Sequence, residues 1–194
     1  MDQRQDRALR ARAEAVIPGG MYGHQSTGLL PDDYPQFFAK GRGAHLWDVD
    51  GNRYLDFMCA YGPNLFGYGH ETIDAAYVAQ LQHGDTLTGP SALIVELAEA
   101  LTAMVTHADW AIFCKNGTDA TTMALVTARA QTRRKIVIRA RGAYHGSAPW
   151  CTPRPTGALD SERSHQIFCD YNDVASLEAA VAEAGDDLAA IFAA

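Results

Sequence analysis

The chain has 194 residues, 47% of them hydrophobic and 20% charged, with a formal net charge of -7. That length suffices for one sizeable core, or for a large and a small lobe, and the acidic balance excludes a general electrostatic grip on nucleic acid. No apolar run is long enough to span a bilayer, and none follows the Arg-rich N-terminus, so neither membrane insertion nor secretion is expected and the reading is cytoplasmic.

The first predicted element is a helix over 2–16, stopped by the breaker Ile17-Pro18-Gly19-Gly20. Residues 21–35 lack periodicity and read as a long loop carrying Tyr22, His24 and Tyr34; loops of this length in compact domains are often functional. Residues 37–57 read as a small antiparallel meander, turning at Gly41-Arg42-Gly43 and at Asp50-Gly51-Asn52. Asp48 and Asp50 are taken as turn and strand residues, not catalytic acids. The Gly-rich loop 61–70 that follows is no dinucleotide fingerprint, for it lacks the third Gly and a strong preceding strand. Helices are predicted over 71–82 and, capped by Ser91, through Val105, where Leu93, Ile94, Leu97, Leu101 and Met104 keep helical spacing.

From there strand and helix alternate. Strands are predicted over 110–114, 135–139, 165–169 and 188–194, and helices over 118–131 and 173–183, the latter capped by Asp173. A loop over 142–149 and a Pro-rich excursion over 149–163 intervene. The pattern predicts an α/β fold, with a mostly parallel sheet and helices on both faces. The expected division is 1–70, a small lobe with the meander, and 71–194, the first part of a large α/β domain. The strand at 188–194 comes without a closing element, and the sequence is expected to continue past it.

The four cysteines, Cys59, Cys114, Cys151 and Cys169, form no Cys-x-x-Cys pair. Cys114 and Cys169 lie in apolar runs and are expected to be buried and reduced. The seven histidines are scattered, without the spacing of metal ligands, so no metal is expected.

The stretch that carries chemistry is 110–120: an apolar run, the turn Asn116-Gly117, then an Ala- and Thr-rich helix. Strand, Gly turn and helix start together aim free N–H groups and a positive dipole end at one place, which suits a phosphate. Gly117 lets an anion approach the backbone, and Thr118 adds a hydroxyl that can cap the helix. The plainer reading is an ordinary strand-to-helix connection. The loop Gly142-Ala143-Tyr144-His145-Gly146 follows the next strand and belongs at the same sheet edge. A ring and an imidazole beside a phosphate cradle suit a flat, phosphorylated heterocycle; a packed structural role is the alternative for His145.

Five segments in order then carry a resemblance: Ile17-Pro18-Gly19-Gly20, Trp47-Asp48-Val49-Asp50-Gly51-Asn52-Arg53-Tyr54-Leu55-Asp56, Gly67-Tyr68-Gly69-His70, Asn116-Gly117-Thr118-Asp119-Ala120 and Gly142-Ala143-Tyr144-His145-Gly146. Together they resemble the class III, fold-type I pyridoxal-phosphate aminotransferases, in particular the glutamate-1-semialdehyde 2,1-aminomutase-like branch. The resemblance implies pyridoxal 5'-phosphate as cofactor and a homodimer. It implies that Gly117 and Thr118 hold the phosphate with Asn116 at its rim, and that Tyr144 stacks on the pyridine ring with His145 in support. Tyr22, His24 and Trp150 are the candidates for the substrate side, Trp150 having packing of its own loop as its other reading. The implied activity moves an amino group from an amine or amino acid to a carbonyl acceptor. The alternatives are intramolecular amino transfer of the aminomutase type and a non-catalytic module of the same fold. The aminomutase relatives carry a carboxylate-binding Arg in the loop after Pro-Gly-Gly; here no Arg stands between Arg12 and Arg42, which weighs against an aminomutase. The lysines are Lys40, Lys115 and Lys135. None matches the family's Schiff-base position, so that Lys and the ring-nitrogen Asp are expected beyond residue 194.

Overall fold

The computed structural model describes residues 3–22 and 26–193; the candidate His24 lies outside them. The chain gathers into two units, Met1–Ser91 and Ala92–Ala194.

In the first unit two carboxylates join the N-terminal helix to the segments around it. Helix α1 (Arg4–Val16) starts with the amides of Gln5 and Asp6 donating to Asp50, each at 2.9 Å, a negative charge at the positive end of the dipole. Asp6, 1% exposed, accepts from Arg10 Nε at 2.6 Å and from the amides of Gln36 and Phe37 at 2.9 Å. The meander forms as an antiparallel sheet of β1 (Phe38–Arg42), β2 (His45–Asp48) and β3 (Arg53–Leu55) in the order β1-β2-β3. One turn is corrected: β1 runs through Gly41 and Arg42, which pair with Leu46 and His45, so the reversal falls at Gly43-Ala44. Gly41 answers to packing, for a Cβ there would lie 2.4 Å from the Tyr68 ring. Tyr68 hydrogen-bonds Asp56 through its hydroxyl at 2.8 Å, so the Gly67-Tyr68-Gly69 motif closes the meander.

Asp48, 1% exposed, is the polar centre of that sheet. It accepts from the amides of Asp50 and Asn52, from Asn52 Nδ2 and from the Tyr54 hydroxyl, at 2.8–3.0 Å. Burial works to raise its pKa, but the hydrogen bonds from Asn52 and Tyr54 outweigh it and hold the carboxyl below its ordinary range. Tyr54 is pushed up to about 12 by burial and by Asp48. After β3 the backbone turns left-handed at Cys59, Ala60 and Tyr61, with φ of 48°, 51° and 63°, a conformation that costs a non-Gly residue roughly 1–2 kcal/mol. Helix α2 (Glu71–Leu81) buries no residue.

The second unit holds helices α3 (Ala92–Met104), α4 (Gly117–Thr132) and α5 (Val174–Ala184) and strands β4 (Ile136–Ala140), β5 (Gln166–Cys169) and β6 (Leu188–Phe192). The sheet order is β5-β4-β6 and both pairings are parallel, as the alternating pattern predicts. On one face Ile138, Ala140 and Cys169 pack with Ala180 and Ala184 of α5, whose start is capped by Asp173 accepting from the Ser176 amide. On the other face Phe168, Arg139 and Phe192 stand in register across the three strands. The 145–151 segment lies over that face, with the rings of His145 and Trp150 at 5.8 and 5.3 Å from Phe192.

The expected strand at 110–114 does not form. An extended run becomes a strand only by pairing, and among the described residues neither edge strand bonds to it. Trp110 is accordingly 62% exposed, and Cys114 is half-exposed where burial is expected; Cys169 of β5 is buried as expected, and so is Cys151 in the loop. No helix among the described residues is long and apolar enough to cross a membrane.

Candidate functional site

The start of α4 is set by Asn116. Its Oδ1 accepts the Asp119 amide at 3.0 Å while its Nδ2 donates to the Asp119 carboxylate at 2.9 Å, a side-chain cap that satisfies one of the helix's orphan donors. The cap is therefore Asn116, not Thr118: the Asn side chain reaches the third helical residue, whereas the Thr118 hydroxyl is engaged elsewhere. The Gly117 and Thr118 amides have no acceptor among the described residues. A Cβ placed on Gly117 would meet nothing within 4 Å. Two unused amides, a positive dipole end and open space over a glycine fit a phosphate group.

The second predicted loop is fastened to this turn. Thr118 Oγ1 accepts the Ser147 amide at 3.0 Å, Thr121 Oγ1 donates to the His145 carbonyl at 2.6 Å, and Trp150 Nε1 donates to Thr122 Oγ1 at 3.1 Å. Thr118, Thr121 and Thr122 are spaced i, i+3, i+4, so one face of α4 carries all three. The sequence reading missed Thr121, Thr122 and Ser147; the threonine spacing within an Ala-rich helix is the signal that could have found the first two.

Gly146 presses on Thr118. At its φ of +133° a Cβ would lie 2.7 Å from Thr118 Oγ1, 2.9 Å from Thr118 Cα and 3.0 Å from Cys151 Sγ. Gly146→Ala should therefore push the loop off α4 and lower stability by about 1–3 kcal/mol. Urea unfolding checks this, and an unchanged midpoint contradicts the clamp.

The structure thus brings Asn116, Gly117, Thr118, Tyr144 and His145 together at one end of the second unit. Tyr144 is 47% exposed. His145 is 9% exposed, packed edge-on against Phe192, and its Nε2 has no partner among the described residues. Burial, and then the charge of Arg139, push its pKa down, so the imidazole is neutral at pH 7. Of its two readings, the packed one describes its surroundings. Trp150 is held by Thr122 and Phe192, and its carbonyl accepts from Gln166 Nε2 at 2.6 Å, so it packs its own loop. Tyr22 belongs to the first unit and is 70% exposed.

A model of the class-III aminotransferase family matches residues 30–161. The aminopentol aminotransferase of Sphingopyxis macrogoltabida is 57% identical over 185 residues, which are 95% of this chain and 44% of that protein. Glutamate-1-semialdehyde 2,1-aminomutase of Chloroflexus aggregans is 34% identical over 194 residues, 94% of this chain and 44% of its own length. Among solved structures, the pyridoxal-phosphate internal aldimine form of the Sphingopyxis sp. MTA144 FumI protein superposes with a TM-score of 0.91 at 56% identity, covering 96% of this chain and 45% of that one. An omega-transaminase from Sphaerobacter thermophilus gives 0.86 at 30% identity, covering 97% and 46%. The fold is that of the fold-type I pyridoxal-phosphate enzymes, the family whose cofactor is pyridoxal 5'-phosphate. The chain spans less than half the length of these relatives.

Proposed function

This chain belongs to the class-III aminotransferase family, and we propose that it supplies the phosphate- and ring-binding part of an aminotransferase that moves an amino group from an amine to a carbonyl acceptor. The observation that supports this is the clamp of the 142–147 loop onto the start of α4, the helix whose Gly117 and Thr118 amides are unused. Those amides bind the phosphate, Asn116 fixes the turn that presents them, and Tyr144 offers its ring face to the pyridine. His145, neutral and packed on Phe192, supports the loop from beneath. Bound there, the cofactor supplies the electron sink that lets the carbon next to the substrate nitrogen lose a proton.

The loop after Pro18-Gly19-Gly20 has no Arg to hold a substrate carboxylate in a bidentate pair. With the aminopentol aminotransferase at 57% identity, this supports an amino alcohol over an amino acid as donor, and intermolecular transfer over aminomutase chemistry. We further propose a cytoplasmic homodimer. What supports the dimer is that α2 and α3 bury no residue, while Val95, Leu97 and Met104 stand exposed.

The test takes the full product of the gene that encodes this chain, supplies it with pyridoxal 5'-phosphate and pyruvate, and offers either an amino alcohol or glutamate-1-semialdehyde. Alanine formed with the amino alcohol, and no isomer formed from the semialdehyde, is the expected outcome. The reverse pattern would replace this reading by an aminomutase.

A further inference from the structure

A threonine inside a helix ordinarily gives its hydroxyl proton back to its own helix. Thr102 of α3 does so, with Oγ1 3.0 Å from the Ala98 carbonyl and 3.2 Å from that of Glu99. Thr132, at the end of α4, donates to the Ala128 carbonyl at 2.7 Å. Thr121 differs. Its Oγ1 lies 3.0 Å from the Gly117 carbonyl and 3.2 Å from that of Thr118, but 2.6 Å from the carbonyl of His145 in the following loop. A hydroxyl has one proton to donate, and the shortest contact takes it, so this bond leaves the helix.

What stands on each side of that hydroxyl is specific. The Gly117 carbonyl belongs to the same peptide unit as the Thr118 amide, one of the two unused donors that open α4. His145 is the residue after Tyr144. One half-buried side-chain oxygen therefore touches both the peptide that presents a phosphate donor and the main chain that carries the ring. The other bonds from α4 to this segment, from Thr118 and Thr122, are made further along it, at the Ser147 amide and the Trp150 indole. The His145 amide donates to the Cys151 carbonyl at 3.3 Å, a bond that stays within the segment. Gly142 and Gly146 flank Tyr144 and His145 with φ of 77° and 133°, backbone that glycine adopts readily and other residues do not. The pair thus sits between two pivots, and Thr121 is the tie from α4 nearest to it in the chain.

We propose that Thr121 is a positioning residue for the cofactor, its hydroxyl holding the Tyr144-His145 main chain in a fixed place relative to the amides that open α4. The inference rests on the reading of α4 and the 142–147 loop as the pyridoxal 5'-phosphate site. A ligand held at two ends binds more tightly when both ends are preset, because the ordering is done before it arrives. Valine has the shape of threonine without the hydroxyl, so Thr121→Val leaves the His145 carbonyl without this donor and frees the loop between its two glycines. Affinity for a ligand that spans phosphate and ring should fall about 3–30-fold. Affinity for inorganic phosphate, which needs α4 alone, should stay as it was.

The experiment takes the full product of the gene that encodes this chain, freed of cofactor, as wild type, Thr121→Val and Thr121→Ser. One probe is pyridoxamine 5'-phosphate, whose amine cannot condense with a lysine, so its affinity reports contacts alone. The other is inorganic phosphate, read by its displacement of the first. The expected result is that Thr121→Val binds pyridoxamine 5'-phosphate more weakly by the factor above and phosphate as the wild type does, while Thr121→Ser, which keeps the hydroxyl, recovers wild-type affinity. If the Val variant does not fold, Thr121→Ala is measured in its place against the same Ser variant. Unchanged affinity for pyridoxamine 5'-phosphate, an equal loss for both probes, or no recovery with Ser overturns the proposal. Gly117→Val separates this failure from that of the site itself. If Gly117→Val weakens pyridoxamine 5'-phosphate and Thr121→Val does not, the site stands and Thr121 does not position it. If neither does, the cofactor is held elsewhere and the underlying reading fails too.

Discussion

Replacing Gly117 by Ala or Val should weaken pyridoxal 5'-phosphate binding by about 10–100-fold while leaving the fold as stable as before. The stability half follows from geometry. A Cβ at this position meets no atom within 4 Å, and Ala at the first helical position forms helix better than Gly. The binding half follows from what must fill that space. If the phosphate lies against the Gly117 amide, a methyl group displaces it and stretches at least one hydrogen bond to a charged group, a loss of about 1.5–3 kcal/mol. Fluorescence titration with the cofactor and thermal melting of the same samples separate the two effects. Undiminished affinity in Gly117→Val would move the phosphate elsewhere.

The largest stability effect is expected at Asp48. Asp48→Ala removes one acceptor shared by the Tyr54 hydroxyl, the Asn52 side chain and the amides of Asp50 and Asn52. Losing the acceptor of four half-buried donor groups costs about 2–4 kcal/mol, or roughly 5–15 °C in Tm for a chain of this size. Asp48→Asn keeps one acceptor oxygen and should fall between. The pH dependence has a definite sign on both sides. The Asp48 carboxyl is lowered in the folded state, so its contribution is complete above its unfolded value, near 3.9, and is lost as the pH falls through the folded one. Tyr54 is raised to about 12, so its contribution is complete below the unfolded value, near 10, and is lost as the pH climbs through the folded one. Melting curves of the wild type and Tyr54→Phe across both limbs check this; an alkaline limb unaltered in Tyr54→Phe contradicts it.

How far the sequence could be read depended on what each residue leaned on. Local signals carried through: the meander with its Asp50-Gly51 turn, the Asp173 cap, and the parallel alternation after residue 135 all rest on neighbours close in sequence or on strict periodicity. The run at 110–114 misled, because its apolar residues match a buried strand while pairing depends on a neighbour that hydrophobicity does not encode. The left-handed run at Cys59-Ala60-Tyr61 had no signal, since none of these residue types favours that backbone. At the candidate site the cradle was legible in Asn116-Gly117-Thr118. Two pieces were not: the exchange of the capping role to Asn116, which depends on Thr118 being claimed by Ser147, and Arg139, which looks like one more surface cation after Arg133-Arg134-Lys135 until the sheet register turns it inward.

The central claim is that the amides opening α4 receive the cofactor's phosphate. Its most direct test is a backbone amide spectrum of the nitrogen-15-labelled protein, titrated with pyridoxal 5'-phosphate and separately with pyridoxal. The account predicts that the Gly117 and Thr118 amide protons move strongly downfield with the phosphorylated compound and little with pyridoxal, while Tyr144 and its neighbours respond to both. If the phosphorylated compound binds and leaves Gly117 and Thr118 where they were, the phosphate is held elsewhere and the account fails.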